Sequence, residues 1–216
     1  MGWKIPTCIN ESEHLVKKSL TVLAVVSALA LTGCAKADTA AQVGDVKISQ
    51  VQAQSRVNEI LAERANQDTS QMQLETGNAL NRSQLRFTVI TEVFDEIAKE
   101  LKITVSSAEI KKTRTGILEQ IGGETELPKN LVAAQIAPSN FERYMRATII
   151  SNKLSGALAM AGVAEADVQA KISELVQKKA KQLKVTVNPR YGTWNEATGD
   201  LTPEDSAGEA VVPSTN

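Results

Sequence analysis

The clearest structural signal in the sequence is the segment from Ser83 to Leu101, which reads SQLRFTVITEVFDEIAKEL. Apolar side chains recur at every fourth position, and further apolar residues beside them widen the stripe. Because a helix has about 3.6 residues per turn, this spacing predicts one apolar face that packs against other elements. The recurring residues are Leu85, Val89, Val93, Ile97 and Leu101, with Ile90, Phe94 and Ala98 beside them.

Helical patterns also lie on both sides of this segment. A serine followed three residues later by Gln or Glu is typical of a capping box, and it predicts helix starts at Ser49, Ser106 and Ser139. A further amphipathic pattern runs from Ala164 to Leu183, and the connection from Glu124 to Ala137 has room for one short helix. We therefore expect a mainly α domain of about five helices.

Two short strands are expected at the ends of this helical region. Val43 to Ser49 combines alternating apolar residues with the turn signal Gly44-Asp45, and Lys184 to Asn188 alternates in the same way. The two ends of the domain could therefore meet, with the region around Val46 paired beside Val185–Val187. The polar segment 66–83 predicts either a mobile connection or a weak helix.

The first part of the chain has the pattern of a targeting signal. Lys17-Lys18 precede an apolar run from Leu20 to Leu31, which is shorter than the roughly 20 residues that span a bilayer. The sequence Leu31-Thr32-Gly33-Cys34 follows and resembles the lipobox of bacterial lipoproteins. That resemblance implies cleavage between Gly33 and Cys34, a signal peptide over 1–33, lipidation of Cys34 and a tether over 34–41. The alternatives are a secretory signal with a chance cysteine, or a short buried helix.

Acidic residues are unusual ahead of the basic pair in such a signal, yet Glu11 and Glu13 lie there. Bacterial genes can start at codons that are otherwise read as Val or Leu. Our hypothesis is that translation starts at Leu15 or Val16, which would make 1–15 a misassigned start region.

Composition restricts the function classes. The chain has 216 residues with 24 basic and 25 acidic side chains, and this near-neutral balance argues against a nucleic-acid partner. Its single histidine, His14, lies upstream of the predicted cleavage site, so the mature chain would have no imidazole. Nucleophile and phosphate-loop motifs are absent from the sequence. We expect no enzyme activity, no cofactor and no metal site, with acidic clusters such as Asp95-Glu96 serving as solvated charge.

Three segments together resemble a known family. Val43–Ser49 leading into a helix is similar to the opening of the SurA/PrsA group of extracytoplasmic foldases, and Ala164–Val168 resembles a later helix start in that group. Val185–Trp194, which reads VTVNPRYGTW, resembles the closing segment of actinobacterial lipoproteins with a SurA N-terminal domain. The resemblance spans residues 41–195 and implies a helical SurA-N-like domain over 42–195.

The sequence departs from that family in one respect. Isomerase activity in the group depends on an inserted parvulin domain with paired histidines, whereas here the helix at Phe141 leads to the helix at Ala164 across a few residues. The resemblance therefore implies a membrane-anchored chaperone or foldase-like lipoprotein on the extracytoplasmic face. It would bind unfolded or secreted polypeptides without prolyl isomerase catalysis. The alternative is an accessory lipoprotein that binds one fixed partner in an envelope complex.

Two further expectations concern surfaces. Phe141, Tyr144, Met145 and Ile149 form an apolar face that is either ordinary core or one wall of a groove for client chains, since methionine adapts to varied partners. Residues 196–216 are rich in Gly, Pro, Ser, Thr and acids, which predicts a disordered acidic tail.

Overall fold

The computed structural model describes residues 38–203, and it has a mainly α architecture. This confirms the predicted fold class. Within the described residues there are six α-helices, one more than the expected number, and the additional one is the short helix anticipated between Glu124 and Ala137. The helices are α1 (Gln50–Ala65), α2 (Gly77–Glu100), α3 (Ser107–Ile121), α4 (Leu127–Ala133), α5 (Phe141–Met160) and α6 (Glu165–Gln182).

Two of the three predicted capping boxes are present. The amide of Gln52 donates to the Oγ of Ser49 at 3.1 Å, and the amide of Ser49 donates to the Oε1 of Gln52 at 2.9 Å. The same reciprocal pair joins Ser106 and Glu109 at the start of α3. Each pair satisfies amide groups that the first helical turn leaves without partners.

The prediction of a third capping box, at Ser139, is wrong. Residues Pro138–Asn140 form a 3-10 turn, and α5 begins only at Phe141. The backbone amide of Ser139 instead donates to the Oε2 of Glu59 in α1 at 3.1 Å. The sequence pattern assigned Ser139 to a local helix cap, but its hydrogen bond is instead a tertiary contact with α1.

The terminal strands do pair, but through a different strand from the expected one. Strands β1 (Thr39–Val43) and β2 (Val46–Ser49) form a hairpin, and β3 (Thr186–Val187) pairs with β1, which gives the order β2-β1-β3. Pairing of Val46 with the C-terminal strand is therefore wrong, because β1 lies between them. Ala40 and Ala41 in β1 are 0% and 1% exposed, so the domain begins at Thr39 and the expected tether over 34–41 extends too far.

A second hairpin lies where a disordered tail was expected from residue 196. Strands β4 (Thr193–Asn195) and β5 (Asp200–Thr202) pair antiparallel, with Trp194 opposite Leu201. Leu201 is 6% exposed, and Asp200 pairs with Arg86 of α2 at 2.7 Å. The domain thus continues to residue 202, because these two contacts attach the hairpin to α2. Residues 204–216 of the expected tail lie outside the described residues.

Helix α2 lies at the centre of the main core. Leu85, Val89 and Val93 are 0% exposed and pack in one cluster with residues of α5, α6, the first hairpin and Leu201. A smaller cluster joins α4 to the start of α5 and has α3 packed against it. Helices α2 and α5 both contribute to the main core. Their adjacent outer faces form two walls of the groove described below.

Candidate functional site

The structure separates the four residues that were expected to form a client-binding face. Phe141, Met145 and Ile149 are 6%, 2% and 7% exposed, so they are core side chains. Tyr144 alone lies at the surface, with 38% of its area exposed. Three of the four residues are therefore ordinary core and do not form the wall of a groove. Helix α4 covers the side of α5 that carries Phe141 and Met145.

Tyr144 lines a groove that the sequence did not reveal. The groove has a volume of about 460 Å³ and lies between α2, α5 and the loop that follows α4. Its walls are largely apolar, as expected of a site for uncharged side chains or peptide segments. The large apolar side chains that line it are Phe87, Ile90, Phe94, Ile136 and Tyr144.

Phe87 is distinct from the other aromatic side chain of α2. Ile90 and Phe94 line the groove but also pack against the main core, so they contribute to the stability of the fold. Phe87 is half-buried and belongs to none of the hydrophobic clusters in residues 38–203. A large ring that lines a groove without joining a core is available for contact with a ligand.

Gln84 joins the wall of the groove on α2 to the loop after α4. Its side chain is buried, with 3% exposed, and its Nε2 donates to the backbone oxygen of Gln135 at 2.8 Å. That bond orients the amide, so its Oε1 is the free acceptor, and no residue of the described chain donates to it. A buried acceptor without a donor costs on the order of 1–3 kcal/mol. Because this oxygen is itself enclosed by protein, it is not exposed to a ligand in the groove.

The loop after α4 closes one end of the groove and is held by several hydrogen bonds. Gln135 has a positive φ of 55°, and the amide of Ile136 donates to the oxygen of Leu131 at 2.9 Å, as in common helix C-terminal motifs. The Oε1 of Gln135 accepts from the amide of Glu75 at 2.9 Å and from the Nη2 of Arg64 at 3.1 Å. The loop is therefore tied to the segment before α2 and is a fixed wall.

Ion pairs between α2 and α5 hold the opposite edge of the interface. Arg146 contacts Asp95 at 2.5 Å, and Arg143 is hydrogen-bonded to Glu92. Individual partly exposed pairs contribute only about 0–1 kcal/mol, so their main effect is to fix the relative position of the two helices. This fixes the separation of the two walls that carry Phe87 and Tyr144.

The acidic residues near the C-terminal end of α2 have cationic partners. Asp95 contacts Arg146, Glu96 contacts Lys99 and Glu100 contacts Lys179. Across residues 38–203 there is no group of three or more His, Cys, Asp or Glu arranged to hold a metal ion. In the same part of the chain, every helix is too short or too polar to cross a bilayer. The predicted cleavage and lipidation residues, Gly33 and Cys34, lie outside the described residues.

A family model described as the SurA-like N-terminal domain matches residues 8–155, which is more than half of the chain. The chain belongs to this family. Comparisons with curated proteins and with solved structures gave no match.

The SurA-like N-terminal domain is a chaperone-like module, so the family points to the binding of polypeptides rather than to catalysis. The matched range includes Gln84, Phe87 and Tyr144, and it ends within α5. The groove therefore lies in the part of the chain that defines the family.

The sequence carries only an indirect signal for the groove. The apolar stripe of α2 is wider than one packed face requires, because Phe87, Ile90 and Phe94 form a second row beside the buried row at Leu85 and Val89. A second row on a helix is a sign of a second partner or of a ligand. No comparable signal exists for Gln84, whose role depends on the position of Gln135.

Proposed function

We propose that this protein is an extracytoplasmic chaperone, anchored to the membrane through Cys34, which binds apolar segments of unfolded or secreted polypeptides in the groove between α2 and α5. The observation that carries the proposal is the pair of aromatic side chains, half-buried Phe87 and exposed Tyr144, on the two walls of one groove. Aromatic side chains give large contact area at low cost in side-chain entropy. A site of this kind accepts many different apolar sequences.

We propose further that binding occurs without prolyl isomerase catalysis. Residues 161–164 alone connect α5 to α6, so no inserted domain separates these helices. The single histidine of the chain is His14, upstream of the predicted cleavage site. A proline-isomerisation assay checks this, and robust turnover by the purified protein would refute it.

The groove is tested by aggregation assays on the full chain in detergent, with two unrelated chemically denatured proteins as clients. Tyr144→Asp places a charge in the groove, and Met160→Asp is its matched control on the same helix, because Met160 is 86% exposed and lies outside the groove. We expect Tyr144→Asp to lose suppression several-fold and Met160→Asp to retain it. Equal activity of the two variants would contradict the assignment of the groove.

Phe87→Ala provides a second test with little cost to the fold, since Phe87 lies outside the core clusters of the described residues. Its suppression of aggregation should fall while its thermal unfolding midpoint stays near that of the wild type. A crosslinking pull-down separates the two function classes. Recovery of many client chains supports a chaperone, whereas one partner together with no suppression of aggregation supports an accessory subunit.

Lipidation of Cys34 and the extracytoplasmic location are tested separately from the groove. Cells grown with a labelled fatty acid should incorporate the label into the wild-type protein but not into Cys34→Ala. Protease added to spheroplasts should digest the protein, as expected for the extracytoplasmic face. An unlabelled wild-type chain, or unchanged membrane retention of Cys34→Ala, would count against lipidation.

A further inference from the structure

The last described residue, Pro203, lies at the edge of the groove. It lines a depression of about 380 Å³ on the outer side of α2, together with Arg82 and Leu201. Glu75, Ser83 and Arg86 line both this depression and the groove. The described part of the chain therefore ends next to the groove.

One positive charge at this edge has no acidic partner. Arg86 contacts Asp200 at 2.7 Å, and Glu75 lies close enough to Arg64 to interact with it electrostatically. Arg82 forms no ion pair with any residue of 38–203, although it lines the depression. The next two residues of the chain after Pro203 are Glu204 and Asp205, whose charge is complementary to that of Arg82.

The sequence after Pro203 also contains a short apolar segment. Residues 204–216 read EDSAGEAVVPSTN, with three acids, no basic residue and the apolar triplet Ala210-Val211-Val212. Extended chain covers at most about 3.3–3.6 Å per residue, so Val211 can lie up to roughly 26 Å from Pro203. Helix α2 rises about 1.5 Å per residue, so the wall from Arg86 to Phe94 is only about 12 Å long. The apolar triplet can therefore reach any part of the groove.

We propose that residues 204–216 of this chain bind in its own groove and compete there with clients. Glu204 and Asp205 lie against Arg82, and Val211 and Val212 contact the aromatic walls.

Covalent linkage makes such binding effective even when the segment is a weak ligand. A tethered ligand acts at an effective concentration on the order of millimolar, so an intrinsic affinity in that range already occupies the site substantially. A client present at much lower concentration must then bind more tightly than the segment to displace it. The binding of the segment does not depend on the proposed chaperone function. The competition with clients does depend on it.

A disulfide trap tests the binding directly. The full chain with Cys8→Ser and Cys34→Ser receives Val211→Cys together with Tyr144→Cys, and the matched control carries Met160→Cys in place of Tyr144→Cys. We expect mild oxidation to form an intrachain disulfide several-fold faster with the groove position than with the control. Equal rates, or disulfides only between chains, would overturn the proposal.

A charge exchange tests the contact at Arg82 in the same background. Arg82→Glu should slow formation of the trap, and Glu204→Lys with Asp205→Lys should restore it in the Arg82→Glu chain. Restoration separates a specific contact from a general effect of Arg82 on folding. A trap rate that does not respond to either change would overturn this part of the proposal.

A truncated chain that ends at Pro203 then tests the competition. It should suppress aggregation at several-fold lower stoichiometry than the full chain. If the trap forms but neither chain suppresses aggregation, the segment binds the groove and the proposed chaperone function fails. If both chains suppress aggregation equally and the trap does not form, the chaperone function stands and this inference fails.

Discussion

Replacement of Gly192 by alanine should detach the hairpin β4–β5 from the rest of the domain. Gly192 has φ 114° and ψ −166°, a region of backbone conformation that is essentially restricted to glycine. A Cβ atom at this position would lie 2.1 Å from the backbone oxygen of Thr202 and 3.4 Å from the Cδ of Arg82. Because the nearest atom belongs to the backbone of β5, a side-chain rotation cannot relieve the contact.

The size of the expected destabilisation follows from the two ways in which the chain can respond to this contact. Keeping a non-glycine residue in this backbone region costs about 1–3 kcal/mol. Moving β5 away instead exposes Leu201, which is 6% exposed in the wild type, and burial of a leucine contributes about 1.5–3 kcal/mol. The chain adopts a compromise between the two, and we expect Gly192→Ala to lower the free energy of unfolding by about 3 kcal/mol.

Urea denaturation monitored by the fluorescence of Trp194 provides the assay, in a Trp3→Phe background, because the chain has two tryptophans. The matched control is Gly116→Ala in the interior of α3, where a Cβ meets nothing within 4 Å. Alanine is the better helix former, so that variant should gain about 0.5–1 kcal/mol. A Gly192→Ala variant as stable as the wild type would refute the described attachment of the hairpin.

Three further outcomes are expected from the fold. Leu85→Ala removes a side chain that is 0% exposed and should cost about 2–5 kcal/mol in urea denaturation, whereas Leu61→Ala, at a 48% exposed position, should cost far less. Ser106→Ala removes the cap of α3 and should lower the free energy of unfolding in urea by about 1 kcal/mol. Hydrogen bonds from Lys153 and then Ser106 lower the pKa of Glu109 to about 2, so its contribution to stability is complete above pH 4.5 and is lost as the pH falls towards 2. The difference in thermal midpoint between the wild type and Glu109→Gln should therefore shrink as the pH is lowered from 6 to 2.5, and a constant difference would contradict this.

The sequence predicted the helices well because their signals are local. The stripe from Leu85 to Leu101 and the capping boxes at Ser49 and Ser106 act within a few residues of chain, and tertiary contacts did not override them. Ser139 shows the limit of this reasoning. Its local pattern was as good as the others, but a carboxylate of α1 far away in the sequence took its hydrogen bonds.

The C-terminal hairpin shows a second limit. Residues 196–202 have the composition of a loop or tail, and composition measures only how much apolar surface a segment can bury by itself. One leucine and one aspartate attach the segment to the rest of the domain, because α2 presents a site for Leu201 and the cation Arg86 beside it. The benefit comes from α2, so the segment's own composition could not reveal it.

The sequence by itself determined the helical architecture, the candidate signal and lipobox, the near-neutral charge and the family resemblance. Only the tertiary structure decided which apolar residues are core and which line the groove. It buried Phe141, Met145 and Ile149, and it left Phe87 half-buried and Tyr144 exposed along the groove. Periodicity places a side chain on a face of its own helix, which is a property of that helix alone. Whether the face is covered depends on elements that lie up to dozens of residues away, as α4 covers part of α5 and leaves the outer row of α2 open.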